Sequence, residues 1–129
     1  MTADKLKEEL ARLQEVASAL EERTDDLNDL IDALSDKLNE SGVSVTAWIE
    51  SEAMVGWSFG FCKVNGGWSL AARKGKGGSM PLTAAPRKLR LAAMGRADEL
   101  VRALADKSEK FLGDIEEAAR ITSSIHERL

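Results

Sequence analysis

The chain has 129 residues, 43% hydrophobic and 31% charged, with 22 acidic against 18 basic residues and a net charge of −4. That length fits a single domain, 1–129, and that apolar share is enough for a folded core. No uncharged run, Ala53–Cys62 included, is long enough to span a membrane, and the one cysteine, Cys62, excludes an internal disulfide.

From Leu6 the apolar positions run Leu6, Leu10, Leu13, Ala17, Leu20, Thr24, Leu27, Ile31, Leu34 and Leu38. The spacings alternate four and three, which is a heptad seam and predicts a helical arm over 3–41 that packs as a coiled coil. Ser41-Gly42 supplies the stop, with Gly42 suited to the left-handed position past the helix end. Residues 43–80 then change period. Val43, Val45, Ala47 and Ile49 alternate with polar neighbours and Trp48, and Val55, Trp57, Phe59 and Phe61 alternate with Gly56, Ser58, Gly60 and Cys62. Asn65-Gly66 carries a hairpin turn signal, and Trp68, Leu70 and Ala72 continue the return strand. The expectation is a three-stranded antiparallel meander followed by a glycine-rich loop, Lys74–Ser79. The glycines opposite the aromatics leave one sheet face nearly bare, a mark of close approach by another group. Alternatively, Leu89, Leu91 and Met94 cover a face from the chain that follows.

Pro86 suits the first turn of a short basic helix bearing Arg87, Lys88 and Arg90, and Gly95 is a bend. The segment 86–129 then continues into a second arm with the seam Ala97, Val101, Leu104, Ser108, Phe111, Ile115, Ala118, Thr122, Ile125 and Leu129. Two matched arms of about 50 Å each predict an α+β fold: a long antiparallel coiled-coil helical hairpin with the meander and the short helix at its tip. Pairing Leu6 with Leu129, Leu20 with Ile115 and Leu38 with Ala97 sets each a position against a d position, and large residues mostly meet small ones. A second apolar row, Val16, Leu30, Leu100 and Ile121, flanks the seam and predicts a homodimer in which a second hairpin packs alongside.

Charge divides the chain. Between Glu52 and Asp98 there is no acidic residue, while Lys63, Arg73, Lys74, Lys76, Arg87, Lys88, Arg90 and Arg96 are basic. All three tryptophans, Trp48, Trp57 and Trp68, lie in or beside that gap. The expected partner-binding residues are therefore Lys63, Arg73, Lys74, Lys76, Arg87, Lys88, Arg90, Trp48, Trp57 and Trp68. They suit docking of a protein partner, or phosphate neutralisation with base stacking. The same cations would equally answer the acidic stretch Glu22–Glu40 within or between subunits, and alternating aromatics also serve as core.

Catalytic chemistry has no comparable footing. His126 stands beside Glu127 and Arg128 and reads as solvated, and Cys62 reads as packed on a strand. Asp25, Asp26, Asp29, Asp32 and Asp36 fall at helical spacing and read as a solvated face rather than a metal site. The glycine-rich loop lacks Walker spacing. The reading is a non-catalytic interaction or adaptor protein, homodimeric, with no catalytic residues, cofactor, metal or small-molecule substrate, binding another macromolecule through its basic aromatic tip or its acidic helix face. The alternative is a nucleic-acid-binding protein using 63–96. The N-terminus has no apolar signal region, so a cytoplasmic protein is expected. The order helix, small sheet, helix resembles prefoldin-type chaperone subunits and the small dimeric nucleoid-associated proteins of bacteria; the resemblance rests on element order and assigns no residue.

Overall fold

The computed structural model describes residues 2–128. Helix α1 (Ala3–Glu40) starts where the Thr2 hydroxyl accepts from the Lys5 amide at 3.3 Å. It stops at Gly42 (φ +77°), where the Gly42 amide donates to Asn39 and the Val43 amide donates back to Leu38 at 3.1 Å. Those two bonds satisfy carbonyls the last turn would otherwise leave open.

Strands β1 (Ala47–Glu50), β2 (Trp57–Val64), β3 (Gly67–Lys74) and β4 (Met80–Pro81) form one antiparallel sheet in the order β1-β2-β3-β4. Asn65 (φ +53°) and Gly66 (φ +85°) close a two-residue turn between Val64 and Gly67, the geometry whose twist matches the strands it joins. The expected three-stranded meander is thus four-stranded. The glycine-rich loop returns the chain so that Met80 pairs with Ala72 and Pro81 with Ala71, and Pro81 is tolerated because β4 is an edge. The first strand begins at Ala47 rather than Val43, since 43–46 lies outside the strand ladder. After a 3-10 turn (Leu82–Ala84), helix α2 (Arg87–Gly95) starts behind Pro86, and helix α3 (Ala97–Arg128) follows a break at Arg96 (φ −121°).

One sheet face carries the core. Phe59, Phe61, Leu70 and Ala72 pack against Ile31 and Leu38 of α1, Leu89 and Ala93 of α2, and Leu100 and Leu104 of α3. Polar bonds fix the directions of the long helices. The Ser35 hydroxyl accepts from the Leu70 amide at 3.0 Å, and the Asn39 amide group donates to the Trp68 carbonyl at 2.8 Å, so α1 runs antiparallel to β3. The Arg96 guanidinium donates to the Glu50 carbonyl at 3.0 Å, and the Lys107 ammonium donates to the Thr46 carbonyl, so α3 runs antiparallel to β1. Strands β1 and β3 share a direction, because both are antiparallel to β2.

The two long helices therefore cross the sheet in the same sense, and this corrects the expected antiparallel hairpin. The N-terminal half of α1 leaves at the Lys74 end of the sheet, and the C-terminal half of α3 leaves at the Asn65-Gly66 end. Leu6, Leu10, Leu13, Val16 and Leu20 on one arm, and Phe111, Leu112, Ile115, Ile121 and Ile125 on the other, remain 46–62% exposed. The physical reason is that a heptad stripe states which helix face seeks cover, not what covers it. The sheet takes the stripe over 27–38 and 100–104, leaving the outer stretches bare. The expected partner of Leu6, Leu129, lies outside the described residues. No described helix is long and apolar enough to cross a membrane.

Candidate interaction surface

The second sheet face is open. Alternation places Trp48, Glu50, Ser58, Gly60, Cys62, Ser69, Ala71 and Arg73 away from the packed aromatics, in rows set by the pairings Trp48–Gly60–Ala71 and Glu50–Ser58–Arg73. Among the described residues, the helices pack only on the opposite face.

Gly60 supplies the bed for this surface. A Cβ there would collide with the Ala47 carbonyl and reach 2.8 Å from the Trp48 ring, so the absent side chain lets the indole lie flat across the strand. Arg73, one row along and two strands over, stacks over that indole, with its guanidinium carbon 4.1 Å from the ring centroid. This is the range in which a cation is held by an aromatic face. The stack explains why the expected bare face is not bare: an indole from the neighbouring strand fills it. The free thiol Cys62 is buried on the same face.

Beyond the stack, Arg73, Lys76, Glu50, Ser58 and Trp57 line a concavity of about 420 Å³, closed at one side where the Gly75 amide donates to Gly56 at 2.6 Å. Arg73 Nε is buried without a hydrogen-bond partner.

The ten expected binding residues do not form one patch. Trp48, Arg73 and Lys76 gather at the open face and its adjoining turn, while Lys74, paired with Trp57, falls on the packed-face side of β3 by the same alternation. Lys63 stands at the opposite end of the sheet, 5.9 Å from the Trp68 ring centroid. Trp68 stacks on Phe61 at 5.6 Å, and both Trp57 and Trp68 pack against the core. Arg87, Lys88 and Arg90 sit on α2, on the packed side. There Arg90 donates to the Asn28 side-chain oxygen at 2.7 Å, and Arg87 borders an apolar groove of about 430 Å³ with Leu20, Leu27, Leu30 and Leu91.

Internal neutralisation is slight. Among the described residues, Arg96 alone of the eight cations meets a carboxylate, Glu99, at 2.7 Å. That hydrogen bond is the main reason its guanidinium is held above its ordinary pKa, with desolvation opposing and Glu52 and Asp98 adding to the rise. The remaining described ion pairs lie within single helices, Arg12–Glu9, Arg23–Asp26 and Arg120–Glu117. Among the described residues, the acidic stretch of α1 meets the basic region through the neutral Asn28, which accepts from Arg90.

His126 is exposed on the α3 arm and Asp25, Asp26, Asp29, Asp32 and Asp36 are exposed along α1. No group of three or more metal-binding side chains gathers among the described residues. Sequence reasoning missed Glu50 and Ser58 as walls of the concavity. The signal was there in the period-two alternation, but only the strand register puts them in the row of Arg73. Compared with known proteins, the chain matches no family model, no curated protein and no solved structure.

Proposed function

We propose that this is a non-catalytic interaction protein that works as a homodimer in the cytoplasm and docks onto another macromolecule through the open face of its sheet. The observation that carries the reading is the Gly60–Trp48–Arg73 stack beside a concavity lined by Arg73, Lys76 and Glu50, in which neither cation is ion-paired among the described residues. A protein partner presenting carboxylates fits this edge: it would meet the Arg73 guanidinium and Lys76 without needing a flat aromatic platform.

Nucleic acid is the second reading, favoured by the same unpaired cations. It is the weaker of the two because base stacking needs a free ring face. Trp48 already lies against Gly60 with the Arg73 guanidinium stacked over it, and Trp57 and Trp68 pack on the core. The homodimer reading is supported by the two apolar arms, which the chain leaves uncovered and which exceed the scattered exposed residues normal for a monomer.

Titrating tryptophan emission with an oligoglutamate peptide, single-stranded DNA and single-stranded RNA separates the readings. Peptide binding that disappears in Arg73→Ala/Lys76→Ala supports the protein partner. Binding of the oligonucleotides, with log affinity falling linearly against log salt, transfers the face to nucleic acid. Sedimentation of a single-chain mass at high micromolar concentration would remove the dimer.

A further inference from the structure

We propose that two copies pair by exchanging arms: the α1 arm of each chain lies antiparallel along the α3 arm of the other, once at each end of a closed two-fold dimer. This rests on the homodimer proposed above and specifies how it is built.

Direction and length come first. Both long helices run in the same sense, and their uncovered parts, 3–23 and 108–127, leave at opposite ends of the sheet. Each arm is about 32 Å long. A two-fold axis perpendicular to the helices reverses the second copy. Its α3 arm then lies beside the first copy's α1 arm at one end, and its α1 arm lies beside the first copy's α3 arm at the other. Both arms of both chains are covered, and the assembly closes at two copies.

The residues agree with that geometry. One register sets Leu10 against Ile125, Leu13 against Thr122, Ala17 against Ala118, Leu20 against Ile115 and Thr24 against Phe111, every layer joining an a to a d position. The same register brings flanking Val16 beside Ile121 and Arg23 beside Asp114, apolar with apolar and cation with anion. A parallel side-by-side dimer would instead set Val16 against Glu21 and Asp114 against Ala119. Pairing α1 with a second α1 leaves the α3 arm bare. The roots of the arms also match: the apolar groove at Leu20, Leu27 and Leu30 comes opposite a groove of about 240 Å³ at Phe111 and Ile115.

The test uses full chains in a Cys62→Ala background. A chain with Leu20→Cys, mixed with a differently tagged chain with Ile115→Cys, should oxidise to a disulfide-linked heterodimer. Arg23→Glu and Asp114→Arg should each weaken self-association by roughly fivefold, since each sets two like-charge pairs. Mixing those two variants should restore wild-type affinity as a heterodimer, in which both pairs are again opposite in charge. A chain carrying both cysteines that closes on itself as a monomer overturns the exchange. A wild-type dimer without the mixed disulfide, or a charge-swapped mixture no tighter than its components, overturns the exchange and leaves the homodimer standing. A monomeric wild-type chain overturns both.

Discussion

At the scale of single residues, the open face depends on an atom that is missing. Gly60 lies where any Cβ would meet the Ala47 carbonyl and the indole of Trp48, so Gly60→Ala forces strand or ring to shift. The expected loss is about 1–3 kcal/mol of unfolding free energy, as for other overpacked sites, read from urea denaturation, together with a change in Trp48 emission. On the packed face, Ser35 is 8% exposed and its hydroxyl is the acceptor for the Leu70 amide. Ser35→Ala leaves that amide in the core without a partner, at an expected cost of about 1–3 kcal/mol. Asn39→Ala breaks a bond of similar length in an exposed place; water replaces the lost group there, so its cost should stay near 0.5 kcal/mol. If the two variants unfold at the same urea concentration, the burial argument for Ser35 fails.

At the scale of elements, one repeat serves two environments. Leu104 and Leu13 occupy the same heptad position, yet Leu104 is 2% exposed against the sheet and Leu13 is 62% exposed on the free arm. Leu104→Ala should therefore cost about 2–5 kcal/mol. Leu13→Ala should leave the unfolding midpoint of a dilute sample almost unchanged and act only on its concentration dependence. Equal losses in dilute samples would mean that the α1 arm is packed within the chain. This pair also shows what was legible beforehand. Periodicity located both long helices, Gly42 and Gly95 marked where they stop or bend, and Asn65-Gly66 fixed the hairpin, because each signal is local to a few residues. The partner of a helix stripe is not local: Leu27–Leu38 reads the same whether a helix or a sheet lies opposite. Strand β4 was invisible for a related reason, since two residues pair through backbone alone and one of them, Pro81, argues against a strand by composition. The basic region read as one surface because charge was counted along the chain, whereas the β-hairpin and α2 carry Arg73 and Arg90 to different sides of the sheet.

At the scale of the whole molecule, the same-sense run of α1 and α3 sets where the ends lie. Helical rise from the sheet outward places Asp4 and His126 roughly 80 Å apart within one chain, whereas a hairpin would hold them side by side. A donor and an acceptor attached at Asp4→Cys and His126→Cys of one Cys62→Ala chain, diluted into excess unlabelled protein, should therefore show almost no energy transfer. Splitting the dyes between two populations of chains should give efficient transfer, because arm exchange lays the N-terminal end of one copy beside the C-terminal end of the other. Strong transfer in the diluted, doubly labelled chain would restore the folded-back hairpin and remove the reason for the arms to seek a second copy. Weak transfer in both samples would keep the arms apart and leave their apolar faces to a different partner. Arm exchange would occupy α1 and α3 at the packed side and the ends while leaving the face of Trp48, Arg73 and Lys76 uncovered on each copy, so a dimer built this way presents its two open sheet faces to partners independently of the contacts that hold it together.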